Sequence, residues 1–169
     1  FQRTKIITTG GGGMIITDNK TMAKRLKHIT TTSKKTHPWL YTHDEIGFNY
    51  RLPNLNAALG CAQMEVLEDY IERKRALAHR YAAWFSEKGY ELFLEPENSR
   101  SNYWINAFFS KNRSERDEIL NYSNTKKVMT RPAWTPMHTL DMYKNCFKVN
   151  LCNTEWIEEH LVNLPSSII

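Results

Sequence analysis

Hydrophobic and polar positions change rhythm several times along this chain. Residues 1–9 are polar and β-branched, and Met14-Ile15-Ile16-Thr17 is a short apolar run of strand type. Between them Gly10-Gly11-Gly12-Gly13 marks a tight turn or a close backbone approach. Asp18-Asn19 ends the run and offers a helix cap. From Thr21 to Ile29 the apolar residues fall at 22, 26 and 29, with Lys24, Arg25 and Lys27 between them. That spacing predicts a short amphipathic helix. Residues 30–50 have no period. They read as a long loop, and the aromatics at 39, 41 and 48 mark it as ordered and functional rather than slack.

The helical rhythm returns at Pro53, a residue suited to a first helical turn, and runs to Lys88. Leu55, Leu59, Ala62 and Val66 form one stripe; Leu67, Ile71, Ala78, Tyr81 and Phe85 continue it with a shift of phase. Gly89 ends it. Unbroken, such a helix would be roughly 50 Å long, so a kink or a link between two domains is expected. Beyond it, Tyr90–Leu94 and Tyr103–Ser110 read as strands, Glu115–Tyr122 as a helix, and Val128–Arg131 as a short strand stopped by Pro132. Helical pieces follow at 140–147 and 154–162, before an apolar stop at Ile168-Ile169. Mixed strands and helices of this kind describe a small α+β domain.

Composition narrows the class. With 41% hydrophobic and 12% aromatic residues, the chain can pack a core. No apolar run is long enough for a membrane-spanning helix, and no signal peptide is visible. The opening Phe1-Gln2-Arg3, without an initiator Met, reads as interior sequence, and both ends read as truncated. Cys61, Cys146 and Cys152 are an odd, sparse set without CxxC spacing. They argue against a disulfide framework or a zinc site and for reduced thiols in the cytoplasm, with Cys61 in the core. The net charge of +5 is scattered among 18 acids, which argues against nucleic-acid binding. In the dense Arg73-Lys74-Arg75 cluster, Asp69 and Arg73 form an i,i+4 pair, so the cluster reads as a solvated face.

Candidate chemistry is sparse by spacing alone. The glycine run is followed by no Gly-Lys-Ser/Thr and is not a phosphate loop. His37, His43, Asp44 and Glu45 match no familiar metal-ligand spacing and read as a polar loop. No GxSxG elbow supports a serine hydrolase. Lys5, just ahead of the glycine turn, becomes a Schiff-base nucleophile only in a shaped site, and by spacing alone it is a surface lysine.

Two blocks carry a family resemblance. The segment Phe1 to Ile15, with Phe1, Lys5 and Thr9-Gly10-Gly11-Gly12-Gly13, resembles the cofactor-lysine segment of the DegT/DnrJ/StrS sugar aminotransferases. That family uses pyridoxal 5′-phosphate (PLP). Gly47-Phe48-Asn49-Tyr50-Arg51, running into Asn56-Ala57-Ala58-Leu59-Gly60, resembles its Gly-aromatic-Asn-Tyr-Arg segment. The resemblance extends more weakly to Leu164-Pro165-Ser166-Ser167. Thr30-Thr31-Thr32, His37-Pro38-Trp39, Thr130 to Trp134 and Met137-His138 bring it nearest to the branch acting in legionaminic acid and related sugar pathways. Gly11 stands where the wider family often has Glu, and Asp141 where Pro is expected.

The resemblance implies an α/β chain that is part of the aspartate-aminotransferase fold (PLP-transferase fold type I). Residues 1–52 would be the end of the large PLP-binding domain, 53–89 a linking helix and 90–169 the small C-terminal α+β domain. It implies transamination of a nucleotide-linked 4-keto-6-deoxy sugar, with glutamate as donor, in surface polysaccharide or nonulosonic acid biosynthesis by a cytoplasmic homodimer. Lys5 would hold PLP and serve as catalytic base. Asn49 would reach the phosphate of the partner's cofactor, helped by Arg51. Trp39, Arg131 and His138 are candidates for the sugar-nucleotide pocket. The family's carboxylate for the pyridinium nitrogen, its first phosphate loop and its stacking aromatic all lie upstream of the lysine. The chain alone is therefore expected to have little activity and to expose apolar surface. Two other readings stand beside this one: a non-catalytic folding or dimerisation module, and a basic nucleic-acid-binding domain.

Overall fold

The computed structural model describes residues 5–168. Phe1, one of the family-like positions, lies outside them. The described backbone divides into two compact units, Ile7–Val66 in one and residues 67–168 together with Lys5 and Ile6 in the other.

The first unit holds two helices and much irregular chain. Helix α1 spans Lys20–Thr30, and Asn19 caps it as its sequence position suggested, accepting from the Met22 amide at 3.0 Å. Met14–Thr17 forms no strand, contrary to the pattern reading. A strand needs a neighbour to complete its ladder, and among the described residues none pairs with this one. Met14, Ile15 and Ile16 stand 63–87% exposed. Helix α2, Asn54–Glu65, follows Pro53, which takes the cap position itself.

The single helix expected over 53–88 is two. Val66 leaves the helical backbone at φ −111° and ψ 5°, and α3 then runs from Leu67 to Glu87. The phase shift between the two apolar stripes marks this break. Cys61 is exposed rather than in the core; α2 buries none of its residues, so its Ala-rich stretch has no core to join. At its far end α3 closes as Gly89 predicted. Gly89 takes φ +75° while its amide donates to the Ser86 carbonyl and that of Tyr90 to Phe85. Both orphan carbonyls are thereby satisfied.

The second unit is built on an antiparallel sheet of order β1-β2-β4-β3, with β1 at Glu91–Leu92, β2 at Asn106–Phe109, β3 at Arg131–Pro132 and β4 at Leu161–Leu164. Helix α4, Arg113–Thr125, and α5, Cys152–His160, complete it, with two short 3-10 turns at Met137–Thr139 and Asp141–Tyr143. Strand β4 falls where the pattern reading ran a helix to residue 162. The register sets Phe108 opposite Val162, and these join Phe85 and Leu92 in the core. The Phe85 and Phe108 rings lie 4.4 Å apart. Burying each such side chain contributes about 1.5–3 kcal/mol.

The basic cluster of α3 is not a uniform solvated face. Arg73 does lie 3.5 Å from Asp69. Lys74, however, is buried and donates to the Ser166 carbonyl at 2.6 Å, and burial pushes its ammonium below the ordinary lysine value. Arg75 forks onto both oxygens of Glu95 at 2.7 and 2.8 Å. No helix of the described residues is long and apolar enough to cross a membrane.

Candidate active site

The irregular stretch after α1 folds back on the helix that precedes it. Thr32 and Ser33 both take left-handed backbone, at φ 71° and 49°, and this turns the chain sharply. The Thr32 amide donates to the Phe48 carbonyl, the Phe48 amide to Ile29, and the Tyr50 amide to Thr30, all at 2.8–3.0 Å. Residues 48–50 are thus pinned to the end of α1. Gly47 makes this approach possible: a Cβ there would lie 2.5 Å from the Thr32 carbonyl carbon and 2.6 Å from the Ser33 nitrogen. Charges close the loop further. His28 Nε2 lies 2.7 Å from Asp44, whose carboxyl this hydrogen bond holds below its usual range. Glu45 pairs with Arg25. Donor atoms of His28, Asp44 and Glu45 converge as metal ligands do, but Arg25 already meets the charge of Glu45.

On this frame Phe48 and Tyr50 stack at 5.2 Å, and Asn49 between them is exposed. Alternation along extended backbone sends the Asn49 side chain to the other face. Arg51 is also exposed and lines a cavity of about 930 Å³ with Gly11, Gly12, Lys27, Tyr50 and Asn56. The glycine run reaches this wall because Gly12 adopts φ +117°, where a Cβ would strike Leu52 at 2.7 Å. The Asn56 amide holds the Thr9 carbonyl, and Gln63 accepts from the Thr8 amide at 3.3 Å. Asn49 and Trp39 do not line the cavity. Trp39 stands at the loop tip, 73% exposed, edge-on to His37 at 4.9 Å.

The other expected residues lie in the second unit. Lys5 is exposed, with its Nζ 4.0 Å above the centre of the Trp104 ring. Arg131, on β3, is exposed and lies 3.4 Å from the Met129 sulfur. His138 is nearly enclosed and meets Glu155 at 3.0 Å. It lines a second cavity, of about 550 Å³, with Cys146 and Phe147. Arg131 is not among the residues lining it. The pattern reading missed Trp104 and the polar network behind it, since an aromatic ahead of a strand has no periodic signature.

Residues 1–168 match the DegT/DnrJ/EryC1/StrS aminotransferase family. The chain belongs to that family. Among its curated relatives, a GDP-perosamine synthase from Escherichia coli O157:H7 is 35% identical over 98% of this chain and 45% of its own length. The putative pyridoxal phosphate-dependent aminotransferase EpsN of Bacillus subtilis is 31% identical over 85% of this chain and 37% of its own. The chain thus spans less than half the length of these relatives. Among solved structures, the aminotransferase TlmJ from Streptoalloteichus hindustanus superposes with a TM-score of 0.82 at 23% identity, covering 95% of this chain and 43% of that one. A putative sugar aminotransferase from Streptococcus pneumoniae, solved in its PLP form, gives 0.76 at 17% identity over 92% and 41%. The fold is that of these family members.

Proposed function

We propose that this chain is the lysine-bearing part of a PLP-dependent aminotransferase that moves an amino group from glutamate to a GDP-linked 4-keto-6-deoxy sugar. The observation that carries this reading is the 35% identity, over 98% of the chain, to a GDP-perosamine synthase. The domain limits that go with it are 1–52, 53–89 and 90–169, in a cytoplasmic homodimer serving surface polysaccharide or nonulosonic acid biosynthesis. The observed division at Val66 falls inside the proposed linking segment.

The residues present fit the cofactor. A phosphate dianion calls for exposed N–H donors. The Asn49 amide is exposed, and Arg51 makes no ion pair among the described residues. Lys27 adds a second cation to the wall that Arg51 lines. Asn49 would serve the phosphate in the partner's site, and Arg51 would reinforce it. PLP supplies an electron sink when bound. Lys5 would hold the cofactor through its Nζ, and when not so engaged its amine would take the proton from the donor's α-carbon. Trp39 and Arg131, both exposed, remain available to a sugar nucleotide. His138 would contribute from beside Glu155.

The apolar surface around Met14–Ile16 would be covered by the upstream half of the parent enzyme, which would also carry the partner for the pyridinium nitrogen. The test is to incubate the chain with PLP, reduce with borohydride and map the adduct by mass spectrometry. The expected result is a phosphopyridoxyl group at Lys5 that is absent in Lys5→Ala. Labelling spread evenly over surface lysines would overturn the reading.

A further inference from the structure

We infer that Trp104 is a positioning residue for Lys5, presented by a strained turn at Tyr103 that a partly buried ionic network holds in place. This rests on the cofactor role of Lys5 proposed above. The direct contact is the Lys5 ammonium 4.0 Å above the Trp104 ring centre, the geometry in which the negative face of an indole attracts a cation. A positive nitrogen on this side chain, free or condensed with a carbonyl, keeps the charge that the ring attracts. The contact fixes where the nitrogen sits while leaving it open to a reactant.

The ring is not there by accident of an exposed surface. Tyr103, the residue before it, takes φ +41° although it carries a side chain and is only 4% exposed. Such backbone persists where its surroundings over-determine it, and here they do. The Glu95 amide donates to the Tyr103 hydroxyl at 3.1 Å, and the Tyr103 amide to Ser101 Oγ at 3.1 Å. Glu95 accepts both prongs of Arg75 and the Ser101 amide at 2.5 Å. Arg75 also donates to the Ser101 carbonyl at 2.6 Å and lies 5.5 Å from the Tyr103 ring centre. These bonds hold the Glu95 carboxyl down at about 2, the Arg75 guanidinium being the largest cause. Beyond the turn, the Trp104 amide donates to Asn102 at 3.1 Å, and buried Lys74 lies 3.5 Å from the Trp104 carbonyl. The half-buried indole is thus gripped on its backbone and free on the ring face that meets Lys5.

The test titrates the whole chain, W104L and W104F with PLP. It follows the bound-cofactor absorbance and, after borohydride, the fraction of Lys5 modified. Equal thermal melts would show that the variants fold. A lost cation–π contact at a partly exposed site corresponds to about a two- to fivefold change, so W104L is expected to need that much more PLP for half-modification of Lys5. W104F keeps a π face and should recover most of the difference, which a purely structural role would not predict. Equal curves for the wild-type chain and W104L would overturn the proposal, as would W104F behaving like W104L. Failure of the wild-type chain to modify Lys5 would instead overturn the cofactor reading on which this rests.

Discussion

Residues 67–168 and residues 7–66 hold themselves together by different means. Every buried hydrophobic residue among those described, from Ala78 through Phe85, Leu92, Tyr103, Ala107 and Phe108 to Val162, lies in the second unit. In the first unit the fully buried side chain is Ser33, and order comes from loop hydrogen bonds and ion pairs. The family-defining blocks sit mostly in the unit without a core. There the polar groups are placed by loop hydrogen bonds and ion pairs rather than by burial. Hydrophobic burial sets stability; the loop sets geometry.

Substitutions can break this contrast. The largest effect is expected for Phe108→Ala, which empties a site 3% exposed and wedged against Phe85. It should cost about 3–5 kcal/mol in chemical denaturation. A loss below about 1 kcal/mol would mean that the sheet is not the stabilising core. Next, Gly47→Ala sets a Cβ 2.5 Å from backbone and should cost about 1–3 kcal/mol locally. Hydrogen exchange would read it as faster exchange at Thr32 and Phe48 with the amides of β2 and β4 unchanged. Spread of the effect into the sheet would show that the two regions are not independent. The smallest concerns Glu95, whose carboxyl is lowered from an ordinary 4.5 to about 2. A depressed carboxylate contributes stability in full above 4.5, and that contribution fades as pH falls from 4.5 towards 2. Denaturation midpoints should lose this pH dependence in Glu95→Gln. A slope surviving in the variant would assign it to other carboxyls.

Much of this was legible in the sequence where one local rule decides the outcome. The Asn19 cap, the end of α3 at Gly89 and the period of α1 each depend on a few adjacent residues, and each is found. The failures lie where distant partners decide. Met14–Thr17 has the composition of a strand but no ladder among the described residues, and Leu161-Val162 reads as the end of a helix until β2 and β3 pair with β4. Lys74 and Arg75 read as surface charges because their partners, Ser166 and Glu95, lie 92 and 20 residues away. For the candidate site, motif matching singled out Lys5, Asn49 and Arg51, but the Trp104 ring under Lys5 is visible only in three dimensions.

The order of the small sheet has one more consequence. Its two outer strands are two residues long each, and one of them contains Pro132, which has no N–H to offer. A strand from a neighbouring molecule would find almost no ladder to extend, so the sheet is a poor template for aggregation. The apolar, unpaired Met14–Ile16 segment has no such protection. Precipitation of this chain on storage would therefore begin at that segment, and a charge placed at Ile16 would slow it while leaving the sheet intact.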